Sequence, residues 1–183
     1  MLSTRSLDDL AIEDIAAAAG ISRGLLFHYF PSKRDYREAV VRAAAADFLA
    51  HVAPNPDLPV TDRLRAGVQT FVDYVCENRD GYVSLLRGSA GGDPALRTIF
   101  DETRSTIAAQ VLDHMAVMGA TAPPARVRLA VRGWVAFSEE VVLGWLSEPS
   151  PGIERADIVE MLDRALLALV ASAATGNTDL PRS

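Results

Sequence analysis

The chain of 183 residues has few of the side chains that catalysis, metal binding and cross-linking require. Cys76 is the single cysteine, so no disulfide can form within the chain, and three histidines are too few to complete a thiolate metal site with it. The histidines His28, His51 and His114 lie in separate segments. No serine elbow motif and no glycine-rich phosphate loop occurs. These absences predict a protein that is not an enzyme, with no catalytic residues, metal site or cofactor.

Long hydrophobic runs are also missing. No stretch of about 18 uninterrupted apolar residues is present, which predicts no membrane span. Residues 1–14 contain no apolar core of a secretory signal. Hydrophobic residues nevertheless make up 49% of the chain and are spread along it, which favours a real core over disorder. Together with the single cysteine, these features predict a cytoplasmic protein.

Charge is unevenly distributed. The net charge of −6 argues against a general nucleic-acid coat protein. Residues 22–34, however, contain Arg23, Lys33 and Arg34 and no acidic residue. A locally basic segment on an acidic protein suits specific better than non-specific DNA binding.

Apolar residues recur at helical spacing almost throughout, and no alternating strand pattern or internal repeat is visible, so the sequence predicts an all-α fold. Prolines, glycines and capping residues set the expected boundaries. The predicted helices cover approximately 10–19, 23–29, 33–52, 61–77, 81–88, 94–118, 124–146 and 154–174.

The most informative segment runs from residue 12 to residue 33. Two short helices are joined by Ala19-Gly20-Ile21-Ser22, the pattern of a helix-turn-helix. Gly20 is expected to end the first helix in a left-handed conformation, and Ser22 to cap the second. Pro31 ends the second helix, and Ser32 with Asp35 forms a short capping box for the next.

This segment resembles the TetR family of transcription regulators over about thirty residues. The matching blocks are Ile15-Ala16, Ala19-Gly20-Ile21-Ser22, Gly24-Leu25-Leu26-Phe27-His28-Tyr29-Phe30 and Ser32-Lys33. The resemblance implies an all-α protein with a small DNA-binding head and a larger helical body that binds a ligand and dimerises. Its expected partners are a near-palindromic double-stranded DNA operator, a small-molecule effector and a second copy of the chain.

On that basis we divide the chain at the proline-rich segment 54–59, which is the candidate linker. Residues 1–52 are predicted to form the helix-turn-helix domain. Residues 53–175 are predicted to form the ligand-binding and dimerisation domain, and residues 176–183 a flexible tail.

Seven residues around the second short helix are expected to contact DNA. Arg23 is placed to reach a base edge, most favourably guanine, or a phosphate. His28 and Tyr29 can donate to phosphates, and Lys33 adds a charged phosphate contact. Ser22 turns the amide groups of the helix toward a phosphate, and Gly24 allows close backbone approach. The full set is Ser22, Arg23, Gly24, Leu25, His28, Tyr29 and Lys33.

The family has a helix of about fifteen residues before this motif, whereas only residues 1–6 precede Leu7-Asp8-Asp9-Leu10 here. Either the start has been set too far downstream, or the chain is a truncated relative. In-frame codons upstream that encode an amphipathic helix would favour the first explanation.

Aromatic and polar residues at core-like positions in the body are candidates for an effector cavity, although each is more common as plain core. They are Phe71, Tyr74, Tyr82, Phe100, Thr103, Trp134, Phe137 and Ser138. One of Glu139 and Glu140 could face such a cavity, where it would favour a cationic ligand, and at least one of the two is expected to be solvated. The resemblance implies an apolar or amphipathic effector.

The last two long helices are predicted to form the dimer interface. Gly133 and Gly144 are three helical turns apart on one face, which lets a partner helix approach closely. The final helix is apolar over more than one stripe and needs cover on two sides. The predicted interface residues are Gly133, Gly144, Ile158, Leu162, Leu166 and Leu169.

The leading hypothesis is a dimeric repressor that reads two half-sites about 34 Å apart and is released by its effector. An alternative is a helical dimer that binds a small molecule but no longer binds DNA, because the first helix is missing. A purely structural module would leave the helix-turn-helix segment unexplained.

Overall fold

The computed structural model describes residues 20, 22–80, 82–83, 93–120, 122–148 and 151–175, with Arg23 described by its backbone only. Six α-helices have their bounds within these ranges, residues 79–80 and 82–83 are also helical, and no strand occurs among the described residues, which confirms the all-α prediction. The helices are α1 (Arg23–Tyr29), α2 (Lys33–His51), α3 (Val60–Glu77), α4 (Pro94–Val117), α5 (Ala125–Ser147) and α6 (Arg155–Thr175).

Local capping chemistry explains where several helices begin and end. Ser22 caps α1, and Ser32 exchanges hydrogen bonds with Asp35 at the start of α2. Gly119 follows α4 with a φ of 106°, a conformation that side chains rarely adopt and that ends a helix readily. Gly20 has a φ of 67°, the left-handed conformation expected for it. The predicted helix 10–19 lies outside the described residues. The predicted helix 81–88 also lies outside them, apart from residues 82–83.

The chain divides into two compact units. The first comprises residues 1–48 and 77–102, and the second residues 49–76 and 103–183. In the first unit, α2 and the start of α4 share a core cluster of Val41, Ala45, Leu96 and Ile99. Phe48 packs edge-to-face on Tyr82 in the same unit, with ring centroids 5.9 Å apart.

The core of the second unit is built mainly from aliphatic side chains of α3 to α6. Helices α5 and α6 pack against each other. Buried residues recur on one side of each, because a helix places residues three or four apart on one face. Those of α6 are Ile158, Val159, Leu162 and Leu166.

Ion pairs connect α3 with α6 in the second unit. Asp73 on α3 pairs with Arg155 on α6 at 2.7 Å, and Arg65 approaches Asp163 at 3.5 Å along the same two helices. Surface pairs of this kind contribute little stability, so the apolar core remains the main stabilising feature.

No helix in the described ranges combines the length and apolar character that a membrane span requires.

Candidate nucleic-acid interface

Helix α1 is short, and its ends are held by the chain's own hydrogen bonds. Ser22 has extended backbone geometry, and its hydroxyl oxygen accepts the N–H of Leu25 at 3.1 Å. At the other end, the N–H of Phe30 donates to the carbonyl of Leu26 at 2.9 Å. Seven residues alone are too few to form a stable helix in water, so the capping hydrogen bonds help to stabilise this two-turn helix.

The side chains of α1 divide into an inner and an outer face. Leu26 is buried and anchors the helix. Leu25, His28 and Tyr29 are exposed, and the Tyr29 side chain is 68% exposed. The His28 and Tyr29 rings lie edge-to-face with centroids 5.5 Å apart. This outer face therefore presents an imidazole, a phenol and an aliphatic group to solvent. The imidazole and the phenol can donate hydrogen bonds to phosphates, and the aliphatic group can contact a thymine methyl group.

The start of α2 lies directly after this face. The N–H and hydroxyl of Ser32 donate to the Asp35 carboxylate at 3.1 and 2.8 Å, and the Ser32 hydroxyl accepts the N–H of Asp35 at 3.2 Å. This capping box holds Lys33 as the first helical residue, with an exposed side chain. A positively charged side chain therefore follows Tyr29 closely along the chain, at the first residue of α2.

Phe30 and Tyr36 connect the two helices from inside. Their rings pack edge-to-face at 5.3 Å between centroids. Burial raises the pKa of the Tyr36 phenol above its ordinary value. This ring contact joins the residue that follows α1 to the first turns of α2.

The predicted DNA-binding residues therefore lie on one continuous stretch. Ser22, Gly24, Leu25, His28, Tyr29 and Lys33 are all exposed. Arg23 is the first residue of α1, and its side chain lies outside the described part of the structure. Contact of these residues with DNA remains a prediction.

The structure places the predicted effector residues of α5 in two environments. Trp134 is buried, and its indole N–H donates to the backbone carbonyl of Leu162 on α6 at 2.8 Å. Ser138 is buried as well, with its hydroxyl donating to the carbonyl of Trp134 at 2.9 Å. Phe137, by contrast, is 39% exposed. The polar groups of Trp134 and Ser138 thus already have partners within the chain.

The other predicted effector residues are divided between the two units. Tyr82 and Phe100 are buried in the first unit, whereas Phe71, Tyr74 and Thr103 are half-buried in the second. The Tyr74 ring lies 5.4 Å from that of His51. A ligand role for any of these residues remains a prediction.

The two neighbouring acids of α5 differ sharply in environment. Glu139 is buried, and its carboxylate accepts the Nε–H of Arg104 on α4 at 2.8 Å and a second N–H of the same guanidinium. Glu140 is exposed. Sequence reasoning did not single out Arg104, because nothing local relates two residues 35 positions apart.

The predicted dimer residues also separate into two groups. Ile158, Leu162 and Leu166 are buried within the single chain, in the core that α6 shares with its own unit. Gly133, Gly144 and Leu169 are exposed. Only the second group is available to a partner subunit without rearrangement of the core.

Comparison with known proteins supports the reading of both parts of the chain. Residues 1–40 match the family described as bacterial regulatory proteins, tetR family, and residues 60–169 match the tetracyclin repressor-like C-terminal domain. The chain is also 24% identical over 151 residues to the HTH-type transcriptional activator FasR of Mycolicibacterium smegmatis, covering 81% of this chain and 68% of that protein.

Solved structures give the same result. A tetR-family transcriptional regulator from Streptomyces coelicolor is 34% identical, with a TM-score of 0.80, over 96% of this chain and 78% of that one. A TetR transcriptional regulator from Rhodococcus sp. RHA1 shares the fold at 16% identity, with a TM-score of 0.61, over 93% of this chain and 90% of that one. The helix-turn-helix residues, the all-helical architecture and these matches together establish that the chain belongs to the TetR family of transcriptional regulators.

Proposed function

We propose that this protein binds a near-palindromic operator as a cytoplasmic homodimer and is released from it by a small apolar or amphipathic effector. The observation that carries the proposal is the outer face of α1. Leu25, His28 and Tyr29 are exposed on a capped two-turn helix, and Lys33 follows at the start of α2. Apolar and aromatic side chains that share one exposed helix face support an interaction surface, because contact with a partner would remove their apolar atoms from water.

Support for the dimer comes from the solvent-facing side of the last two helices. Gly133, Phe137 and Gly144 lie along one side of α5, because their spacings are close to whole helical turns. Phe137 is 39% exposed in the single chain, and Leu169 on α6 is 40% exposed. A second copy that covered this stripe would bury apolar surface and allow close helix approach at the glycines.

The direction of regulation is a separate question. The leading proposal is repression, with effector binding favouring a head spacing that no longer fits both half-sites. The relative FasR is named an activator, which favours activation as a second candidate. Transcription in vitro from a promoter that carries the operator distinguishes the two: added protein lowers transcript yield if it represses and raises it if it activates.

The test of DNA recognition is selection from a pool of random duplexes with the full chain. We expect enrichment of two inverted half-sites whose centres are about one helical turn, roughly 34 Å, apart. The enriched duplex should bind on the order of a thousandfold more tightly than random DNA at the same salt concentration. Failure to enrich any sequence would reject DNA recognition by this chain. It would leave the alternative of a helical dimer that binds a small molecule only.

A further inference from the structure

We propose that a groove between α4 and the first two turns of α5 binds an amphipathic carboxylate, and that this carboxylate is the effector. The inference rests on the proposed regulatory function and specifies its ligand. The groove has a volume of about 420 Å³, which lies within the range of small-molecule pockets. It belongs entirely to the second unit.

The groove has an apolar wall formed by both helices. Ala108, Ala109 and Leu112 line it from α4, and Leu129 lines it from α5. The small alanine side chains leave room between the helices. Leu129 is 70% exposed, so a hydrocarbon chain in the groove would remove a large aliphatic side chain from water.

Two arginines supply the polar part of the groove. Arg128 and Arg132 are one helical turn apart on α5, and both are exposed. The Arg128 guanidinium donates to the carbonyl of Pro123 at 2.8 Å. This bond positions the group while using one of its five N–H donors. Guanidinium groups can bind a carboxylate through paired hydrogen bonds, which a neutral head group cannot match.

The charge pattern selects an anion. Like charges four residues apart on a helix repel each other, so an anion between Arg128 and Arg132 would relieve an unfavourable interaction. Of the eight described residues that line the groove, none is acidic. The site also lies at the beginning of α5, where the helix dipole favours negative charge. A cationic or purely apolar molecule would gain none of these contributions.

This groove is distinct from the effector site predicted from sequence. None of the eight predicted effector residues, including Trp134 and Phe137, lines it. The signal that sequence reasoning missed is the pair of arginines four residues apart facing alanines of another helix. That juxtaposition depends on how α4 and α5 pack and not on any local motif.

The direct test is isothermal titration calorimetry of the full chain with decanoate, compared with decyltrimethylammonium, which has the same alkyl chain and a cationic head. We expect saturable binding of decanoate and at least about tenfold weaker binding of the cation. Arg128→Gln combined with Arg132→Gln should weaken decanoate binding by a similar factor. Ala109→Trp, which fills the groove, should abolish it.

Arg97→Gln, an exposed substitution on α4 away from the groove, is the matched control and should bind decanoate as the unmodified chain does. Unchanged melting temperatures establish that the groove variants fold. The proposal is overturned if decanoate does not bind, or if both arginine substitutions leave its affinity unchanged. It is also overturned if Trp134→Ala, and not the groove variants, removes binding.

Two further results distinguish a failure of the proposed carboxylate site from a failure of the proposed regulatory function. If Ala109→Trp or the arginine pair changes subunit dissociation and decanoate binding is absent, the groove is a subunit contact and the inference fails. Binding to the selected operator duplex is measured in parallel. DNA binding without decanoate binding rejects the carboxylate site alone, whereas decanoate binding without DNA binding rejects the proposed function and with it the effector role.

Discussion

At the scale of single residues, the outer face of α1 combines side chains suited to different parts of DNA. Lys33 is an exposed, positively charged residue at the start of α2 and is suited to contact a phosphate. Arg23 begins α1, the helix that would enter the major groove of DNA. Lys33→Ala should weaken binding to all duplexes and reduce the salt dependence by about one unit of slope. Arg23→Ala should weaken the selected operator by about 1–3 kcal/mol and random DNA by less.

Fluorescence anisotropy with selected and scrambled duplexes over a range of salt concentrations measures both effects. Arg97→Gln serves again as a surface control. Equal losses on the two duplexes for Arg23→Ala would reject its assignment as a base-reading residue.

Ser22 makes a second residue-scale prediction possible, because it both caps α1 and lies at the expected interface. Ser22→Ala removes the acceptor for the Leu25 N–H and should destabilise α1 by about 1 kcal/mol. Ser22→Asp retains a capping oxygen but adds negative charge, so stability should be kept while DNA affinity falls. Urea unfolding and anisotropy report the two quantities. A Ser22→Asp variant that binds DNA as well as the unmodified chain would place this position away from the phosphates.

Residue-scale features were predictable from sequence where their partners are close along the chain. The Ser22 cap and the Ser32–Asp35 box join residues three positions apart, so their sequence pattern is sufficient. The hydrogen bond from Trp134 to the Leu162 carbonyl joins residues 28 positions apart. No pattern in the sequence indicates that bond, because it depends on the packing of α5 on α6.

At the scale of helices, the Arg104–Glu139 pair connects α4 and α5 with unequal burial of its two groups. The Glu139 side chain is 7% exposed and that of Arg104 is 37% exposed. Arg104→Met should therefore cost about 3 kcal/mol, because it leaves a buried carboxylate without its cationic partner. Glu139→Gln should cost only about 1 kcal/mol, since Arg104 can reach water.

Chemical denaturation of both single variants and of the double variant that combines Arg104→Met with Glu139→Gln measures this asymmetry. We expect the double variant to be more stable than the sum of the two single losses predicts. Equal and small losses for both single variants would show that the pair does not hold α4 against α5.

Helix positions followed well from apolar spacing and capping residues, but the use of each helix face did not. The pattern of α6 shows that it needs cover on more than one side. It does not show which residues the chain itself covers. Ile158, Leu162 and Leu166 are buried within the single chain, whereas Leu169 is 40% exposed. On α5, likewise, periodicity alone did not separate buried Trp134 from exposed Phe137.

At the scale of the whole molecule, dimerisation should depend on the exposed glycines of α5. A Cβ atom added at Gly133 or Gly144 would meet no described atom of the chain within 4 Å, so the single chain can accept a side chain there. Gly133→Leu and Gly144→Leu should nevertheless prevent close approach of a partner helix and give folded monomers. Sedimentation velocity at micromolar concentration distinguishes the two states.

Gly133→Ala is the matched control. It should stabilise α5 by roughly 0.5–1 kcal/mol, because alanine loses less backbone freedom than glycine on helix formation. A leucine variant that remains dimeric, with the stability of the alanine variant, would remove these glycines from the interface.

The central claim is that two copies of this chain together recognise one operator. Sedimentation equilibrium with a labelled, selected duplex tests it most directly, by giving the number of chains bound per duplex and the affinity relative to a scrambled duplex. We predict two chains per selected duplex and binding on the order of a thousandfold tighter than to the scrambled one. One chain per duplex, or equal affinity for both duplexes, would contradict the account.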